Sequence, residues 1–327
     1  MFYIVSRGST ATHWLAKNLS KHKDLVCFYS SRSFPPVEPG KGYPGNRDTW
    51  IKDDLEASKF IESLKRCEEA THNSKIFGSI HGYHTLDMRK IVEEKNGTFK
   101  YMVRSPLEMV HSAFIIYCYR YLNSINIKIA NEDVHDYVCE NLKNLKLKDR
   151  HFKVPSSPKP HFLKNFIGEE NFLLLKKTKN FFKDKYNLIK PKKKLYWGYE
   201  KDLGDINENI LNLFSGISRD FLNLQNLYFS KWGIEKALVM DKIFSDKNYF
   251  RNLILDLAPN SNVSDEYLNE IYSSINLRVN VHRKKPIKNQ EILESLPNCM
   301  REIFQYYFET FRIQRLCDAF EFNFKIK

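Results

Sequence analysis

Two short segments of the chain carry residue types that could hold a phosphate or sulfate group. The first reads Ile4-Val5-Ser6-Arg7-Gly8-Ser9-Thr10-Ala11-Thr12-His13-Trp14-Leu15. An apolar run stops, small residues make a tight turn, and a helical pattern begins at once. Such a strand-turn-helix junction aims several backbone N–H groups and a helix N-terminus at one spot, which suits an oxyanion. The amides of Gly8 to Thr12, Ala11 among them, would form the nest. Ser9, Thr10 and Thr12 add hydroxyl donors, and Arg7 adds a cation at the rim. The segment lacks the Gly-Lys-Ser/Thr ending that grips a β/γ-phosphate and seats magnesium, and it is not Gly-x-Gly-x-x-Gly.

The second segment is Lys100-Tyr101-Met102-Val103-Arg104-Ser105-Pro106, with Ser112 eight residues after Arg104. A strand delivers a guanidinium at its carboxyl end, and a helix starting at Pro106 places a hydroxyl two turns in. Arg presents a planar fork suited to phosphate. An arginine after a strand also serves commonly in salt bridges.

The elements that must position these groups follow from the apolar pattern. Phe2–Val5, Leu25–Tyr29, Lys75–His81 and Phe99–Val103 read as strands, each followed by a turn or a helical pattern. That is the rhythm of a parallel sheet with crossover helices. Thr10 to Leu19, Leu86 to Glu94 and Pro106 to Tyr121 read as helices, the last with Pro where a helix start tolerates it. Arg32–Asp48 carries turn chemistry at almost every step and reads as a lid or binding loop. Asn123–Lys194 reads as a mostly helical insertion with a Pro-rich loop at Pro155–Pro160. A strand returns at Lys194–Tyr199 and a helix near Ile206–Phe214, and the remainder to Lys327 reads as helical, ending in an amphipathic segment near Cys299–Phe320. The whole is expected to be one domain, residues 1–327, with the insertion at 123–194.

The bulk composition sets the outer bounds. With 42% hydrophobic and 14% aromatic residues, the 327-residue chain has enough apolar surface for a sizeable core. A net charge of +13 favours anionic partners, although unpatterned lysine runs such as Lys192-Lys193-Lys194 also fit a plain solvated face. Six cysteines lie far apart, with no Cys-x-x-Cys and no short Cys/His spacing, so neither a zinc site nor a disulfide framework is indicated. The N-terminus does not read as a signal peptide, and no run reaches the ~20 apolar residues of a membrane span. A soluble, cytoplasmic protein with reduced thiols is expected.

Together the two segments resemble the PAPS-dependent sulfotransferases, in which a loop after the first strand binds the 5′-phosphosulfate of 3′-phosphoadenosine-5′-phosphosulfate (PAPS). A later strand there supplies Arg and, eight residues on, Ser for the 3′-phosphate. Arg7-Gly8-Ser9-Thr10 is similar to the first element. Val103-Arg104-Ser105-Pro106, Val110 and Ser112 are similar to the second. Ser79-Ile80-His81 ends a strand 23 residues before Arg104, where many cytosolic members place a catalytic-base histidine. Leu195-Tyr196-Trp197-Gly198-Tyr199-Glu200-Lys201-Asp202-Leu203 is similar to the family's Tyr-Glu-Asp-Leu strand end, whose Tyr lies near the adenine. Arg283-Lys284-Lys285 resembles a late basic loop that closes over the 3′-phosphate.

The resemblance covers the first ~115 residues, more loosely 195–216, and little else. It departs at Arg7, where the family usually has Lys, and at Trp14, which comes about two residues late. It implies a P-loop-like α/β fold and transfer of a sulfuryl group from PAPS, without a metal, to a hydroxyl or amine of a small-molecule, carbohydrate or lipid acceptor. His81 would take the acceptor's proton, with His84 as its rival, and His13 could instead sit over the phosphosulfate. Arg7 would stabilise the leaving phosphate. Two other readings remain open: a P-loop-type kinase or other nucleotide-dependent transferase, against which the missing Gly-Lys-Ser/Thr counts, and a polyanion or nucleic-acid binder using the basic stretch Lys176–Lys194, which matches no nucleic-acid motif.

Overall fold

The computed structural model describes residues 1–6, 12–29, 51, 53–81, 84–152, 205–273 and 289–322. Arg7 to Ala11, Tyr199, Arg283 to Lys285, the Arg32–Asp48 loop, the Lys194–Tyr199 strand and the 153–194 part of the insertion lie outside the described residues. So does the side chain of His81, although its backbone is described. The chain groups into two compact units, residues 1–105, 225–281 and 316–322 in one and residues 106–224, 282–315 and 323–327 in the other.

The first unit is built on an all-parallel sheet. Its strands are β1 (Phe2–Val5), β2 (Leu25–Tyr29), β3 (Ile76–His81), β4 (Thr98–Val103) and β5 (Ala237–Val239), in the order β2-β3-β1-β4-β5. The first four match the expected runs to within a residue. The fifth does not: a strand was expected at Lys194–Tyr199 and only helix beyond it, yet Ala237–Val239 pairs with Tyr101–Val103. Three residues are too short to show a period of two, so the ladder and not the pattern defines them.

Helices cover both faces, because strand residues alternate sides. Phe2, Ile4, Ile80, Met102 and Leu238 pack on Trp14, Leu15 and Leu19 of α1 (Thr12–Leu19). Ile243 of α7 (Met240–Ser245), Phe250, Leu253 and Leu257 of α8 (Lys247–Leu257), and Leu268 of α9 (Asp265–Ser273) complete that layer. On the opposite face Tyr3 meets Phe60 of α2 (Asp54–Ala70), with ring centroids 5.8 Å apart and planes at 85°. Here α3 (Met88–Glu93) packs on α2 and β4. Phe99 and Tyr101 lie against Trp232, at 5.0 and 5.5 Å.

Gly78 is fixed by this packing. It pairs with Phe2 in register, and a Cβ there would sit 2.3 Å from the Phe2 ring.

The helix α2 went unread in the sequence although its signals are ordinary. Asp53 accepts from the Glu56 amide (2.9 Å) as an N-cap, and Ala57, Phe60, Ile61, Leu64 and Cys67 recur on one buried face.

The second unit is helical. It holds α4 (Pro106–Ser124), α5 (Val134–Leu142), most of α6 (Ile206–Trp232), α10 (Asn289–Ser295) and α11 (Asn298–Thr310). Pro106 opens α4 as expected, and α4 packs on α5 and α10. Phe114 stands edge-on to Phe214 at 5.1 Å. The expected helix near Ile206–Phe214 is 27 residues long and continues through Gly216 to Trp232. Buried Ser215, which donates to the His151 carbonyl, and buried Ile217, Phe221 and Leu222 carry it past that glycine. The single amphipathic segment expected near Cys299–Phe320 is instead two helices, α11 and α12 (Gln314–Phe320). Arg312 between them has φ of +51°, the left-handed conformation that ends helices.

Unit two also contains a charge cluster around the buried Glu208 carboxylate. Glu208 accepts from His151 Nε2 (2.6 Å), Lys148 Nζ (2.5 Å) and Arg150 (2.7 Å). Burial works to raise the Glu208 carboxyl, but these donors outweigh it and hold the group at about 2. The backbone amide of Lys148 donates to His151 Nδ1 (2.9 Å), so the proton of the neutral ring resides on Nε2 and points at the carboxylate. Among the described residues no helix is long and apolar enough to cross a membrane.

Candidate functional site

The strand order creates one special edge. The chain leaves β1, passes over β3 and enters β2, while from β3 it passes over β1 to β4. Connections from the carboxyl ends of neighbouring β1 and β4 therefore run in opposite directions. Open α/β sheets bind ligands at such a switch point.

Of the sequence candidates, His81 and Arg104 attach to this edge by their backbone. Val5, the last residue of β1, pairs with His81 on one side and Tyr101 on the other. Arg104 follows the last residue of β4 and is half-buried. Ser6 is buried at the start of the connection that holds Arg7, and Thr12 opens α1 at its far end, half-buried. No acidic residue occupies the first turn of α1, so nothing there opposes an anion at a partly positive helix end. Ser112 lies in the second turn of α4, half-buried, in the other unit.

The sequence reading missed the last turns of α6, which tie this edge together. Gln225 Nε2 donates to the Arg104 carbonyl (2.8 Å). Tyr228 Oη lies 2.7 Å from His84 Nε2. Trp232 Nε1 donates to the Leu86 carbonyl (3.2 Å). Residues 225, 228 and 232 share one helix face at i, i+3 and i+7, so a single ridge holds the segments that follow β3 and β4. Gly233, with φ of +78°, ends the helix, and its carbonyl accepts from the Tyr101 hydroxyl (2.9 Å).

His84, expected as the rival of His81, is half-buried, edge-on to Tyr228 (5.1 Å) and Trp232 (5.7 Å). Tyr228 itself is 3% exposed and stands 6.2 Å from Tyr101, the β4 partner of Val5. Burial, and then the proximity of Tyr228, push the Tyr3 hydroxyl well above its ordinary range. Beside His84, Thr85 Oγ1 is buried and has no hydrogen-bond partner among the described residues.

Elsewhere the reactive groups are subdued. Burial raises the thiols of Cys27, Cys67 and Cys118, and pushes Cys139 and Cys299 to about 11 and Cys317 to about 12. None is poised as a thiolate. All six are free thiols. Among the described residues no group of three or more His, Cys, Asp or Glu is placed to hold a metal ion. Comparison of the chain with family models, with curated proteins and with solved structures yields no match.

Proposed function

We propose that the protein is a PAPS-dependent sulfotransferase with a P-loop-like fold, acting on a hydroxyl or amine acceptor. The observation that carries this reading is the shared sheet edge. The carboxyl ends of β1, β3 and β4 lie side by side, each leading into one of the segments that resemble the family. Arg7 to Thr12 would cradle the 5′-phosphosulfate with backbone amides and hydroxyls. Arg104 would hold the 3′-phosphate, and Tyr199 would lie by the adenine. The residues present suit such a ligand: a guanidinium at a strand end, a helix with no acidic residue in its first turn, and a buried hydroxyl at Thr85 with no partner among the described residues.

Sulfuryl transfer leaves little covalent work for the protein. Alignment and stabilisation of the leaving phosphate oxygen dominate, as in phosphoryl transfer. Arg7 and the amide nest would supply the stabilisation. His81, or its rival His84, would take the acceptor's proton. The direct test is calorimetry with 3′-phosphoadenosine-5′-phosphate against AMP, which differ in the 3′-phosphate alone. The reading requires clear preference for the former.

A further inference from the structure

We propose that Tyr228 is a positioning residue that makes His84 the proton-accepting imidazole of this site. The inference rests on the sulfotransferase reading above. Three observations on the same helix face support it. The Tyr228 hydroxyl is 2.7 Å from His84 Nε2, and the His84 ring is braced edge-on by Tyr228 and Trp232. Trp232 Nε1 fixes the backbone just beyond, at the Leu86 carbonyl. Gln225, one turn earlier, holds the Arg104 carbonyl, so the ridge that orients the imidazole also anchors the strand end assigned to the nucleotide.

The chemistry sets the direction of the hydrogen bond. A ring that accepts a proton at Nδ1 carries its own proton on Nε2, and that proton is donated to the Tyr228 oxygen. As the acceptor O–H (or N–H) bond breaks, its proton passes to Nδ1 and its electron pair forms the new bond to sulfur. The bond from sulfur to the 5′-phosphate oxygen breaks with its pair on that oxygen. Tyr228 is almost fully buried and acts through the imidazole. Its contribution is to fix the ring plane and favour one tautomer, and to accept from the imidazolium once it forms.

The test is nitrogen NMR of the full chain with ¹⁵N-labelled histidine, the His84 signals being assigned by their loss in His84→Gln. Spectra are taken with and without 3′-phosphoadenosine-5′-phosphate. In the wild-type protein the neutral His84 ring is expected to carry its proton on Nε2. Tyr228→Phe, which keeps the ring and removes the hydroxyl, should shift the tautomer ratio by roughly two- to tenfold, the bias of one ordinary hydrogen bond. The added nucleotide should move the His84 nitrogen signals. A wild-type ring protonated on Nδ1 overturns the proposal without any variant. So does an unchanged ratio in Tyr228→Phe, or nucleotide that binds and leaves His84 unmoved. Nucleotide that fails to bind at all overturns the sulfotransferase reading itself and this proposal with it.

Discussion

Replacing Glu208 by Gln should remove a stabilisation that depends on pH in a definite direction. In the folded protein the carboxyl sits at about 2, against an ordinary value of 4.5. A shift of that size corresponds to about 3 kcal/mol at neutral pH. Lys148 and Arg150 are more than half exposed, so water and salt screen their part, and about 2 kcal/mol is the better figure. Because the folded pKa is depressed, this stability is fully present above the unfolded value, above about pH 5. It is lost as pH falls from there through about 2. Urea unfolding of wild type and Glu208→Gln should therefore differ by about 2 kcal/mol at pH 7 and by under ~1 kcal/mol at pH 3. Far-UV circular dichroism suits the measurement, since the second unit is helical. A difference that stays constant between pH 7 and pH 3 would refute the electrostatic reasoning, whatever its size.

Two other outcomes follow from the packing. Gly78→Ala should destabilise the protein by about 1–3 kcal/mol or more, because its methyl group would overlap the Phe2 ring in the centre of the sheet; thermal unfolding reads this directly. The native protein at pH 7 should react slowly with iodoacetamide at all six cysteines, and rapidly once unfolded in urea, since burial holds the thiols protonated.

The sequence and the structure agree where local pattern decides. β1 to β4 are short runs rich in β-branched and aromatic residues between turns, as suits strands covered on both faces. Pro106 marks the start of α4 for a purely local reason. Ser215-Gly216 looks like a helix stop, and only the tertiary setting of buried Ser215, Ile217 and Phe221 shows that it is not. Nothing in Ala237-Leu238-Val239 distinguishes a strand from a helix until β4 lies beside it. The site divides in the same way. The strand-end positions of His81 and Arg104 were legible from where the apolar runs stop. The ridge of Gln225, Tyr228 and Trp232 was not, because its partners are 121, 144 and 146 residues away in the chain. Tyr and Trp at helical spacing read first as core, and only the Oη–Nε2 contact gives Tyr228 a second role.

The proposed activity requires this sheet edge to bind a 3′-phosphorylated adenine nucleotide, and titration calorimetry on the wild type and Arg104→Ala measures that binding. Wild type should bind 3′-phosphoadenosine-5′-phosphate much more tightly than AMP. Arg104→Ala should lose about 1.5–3 kcal/mol, roughly 10- to 150-fold in affinity, against the 3′-phosphorylated ligand, as charge-assisted hydrogen bonds to a phosphate disappear. Its affinity for AMP should hardly change. Equal binding of the two nucleotides by the wild type would contradict the account outright, and equal losses in the variant would remove Arg104 as the reader of the 3′-phosphate.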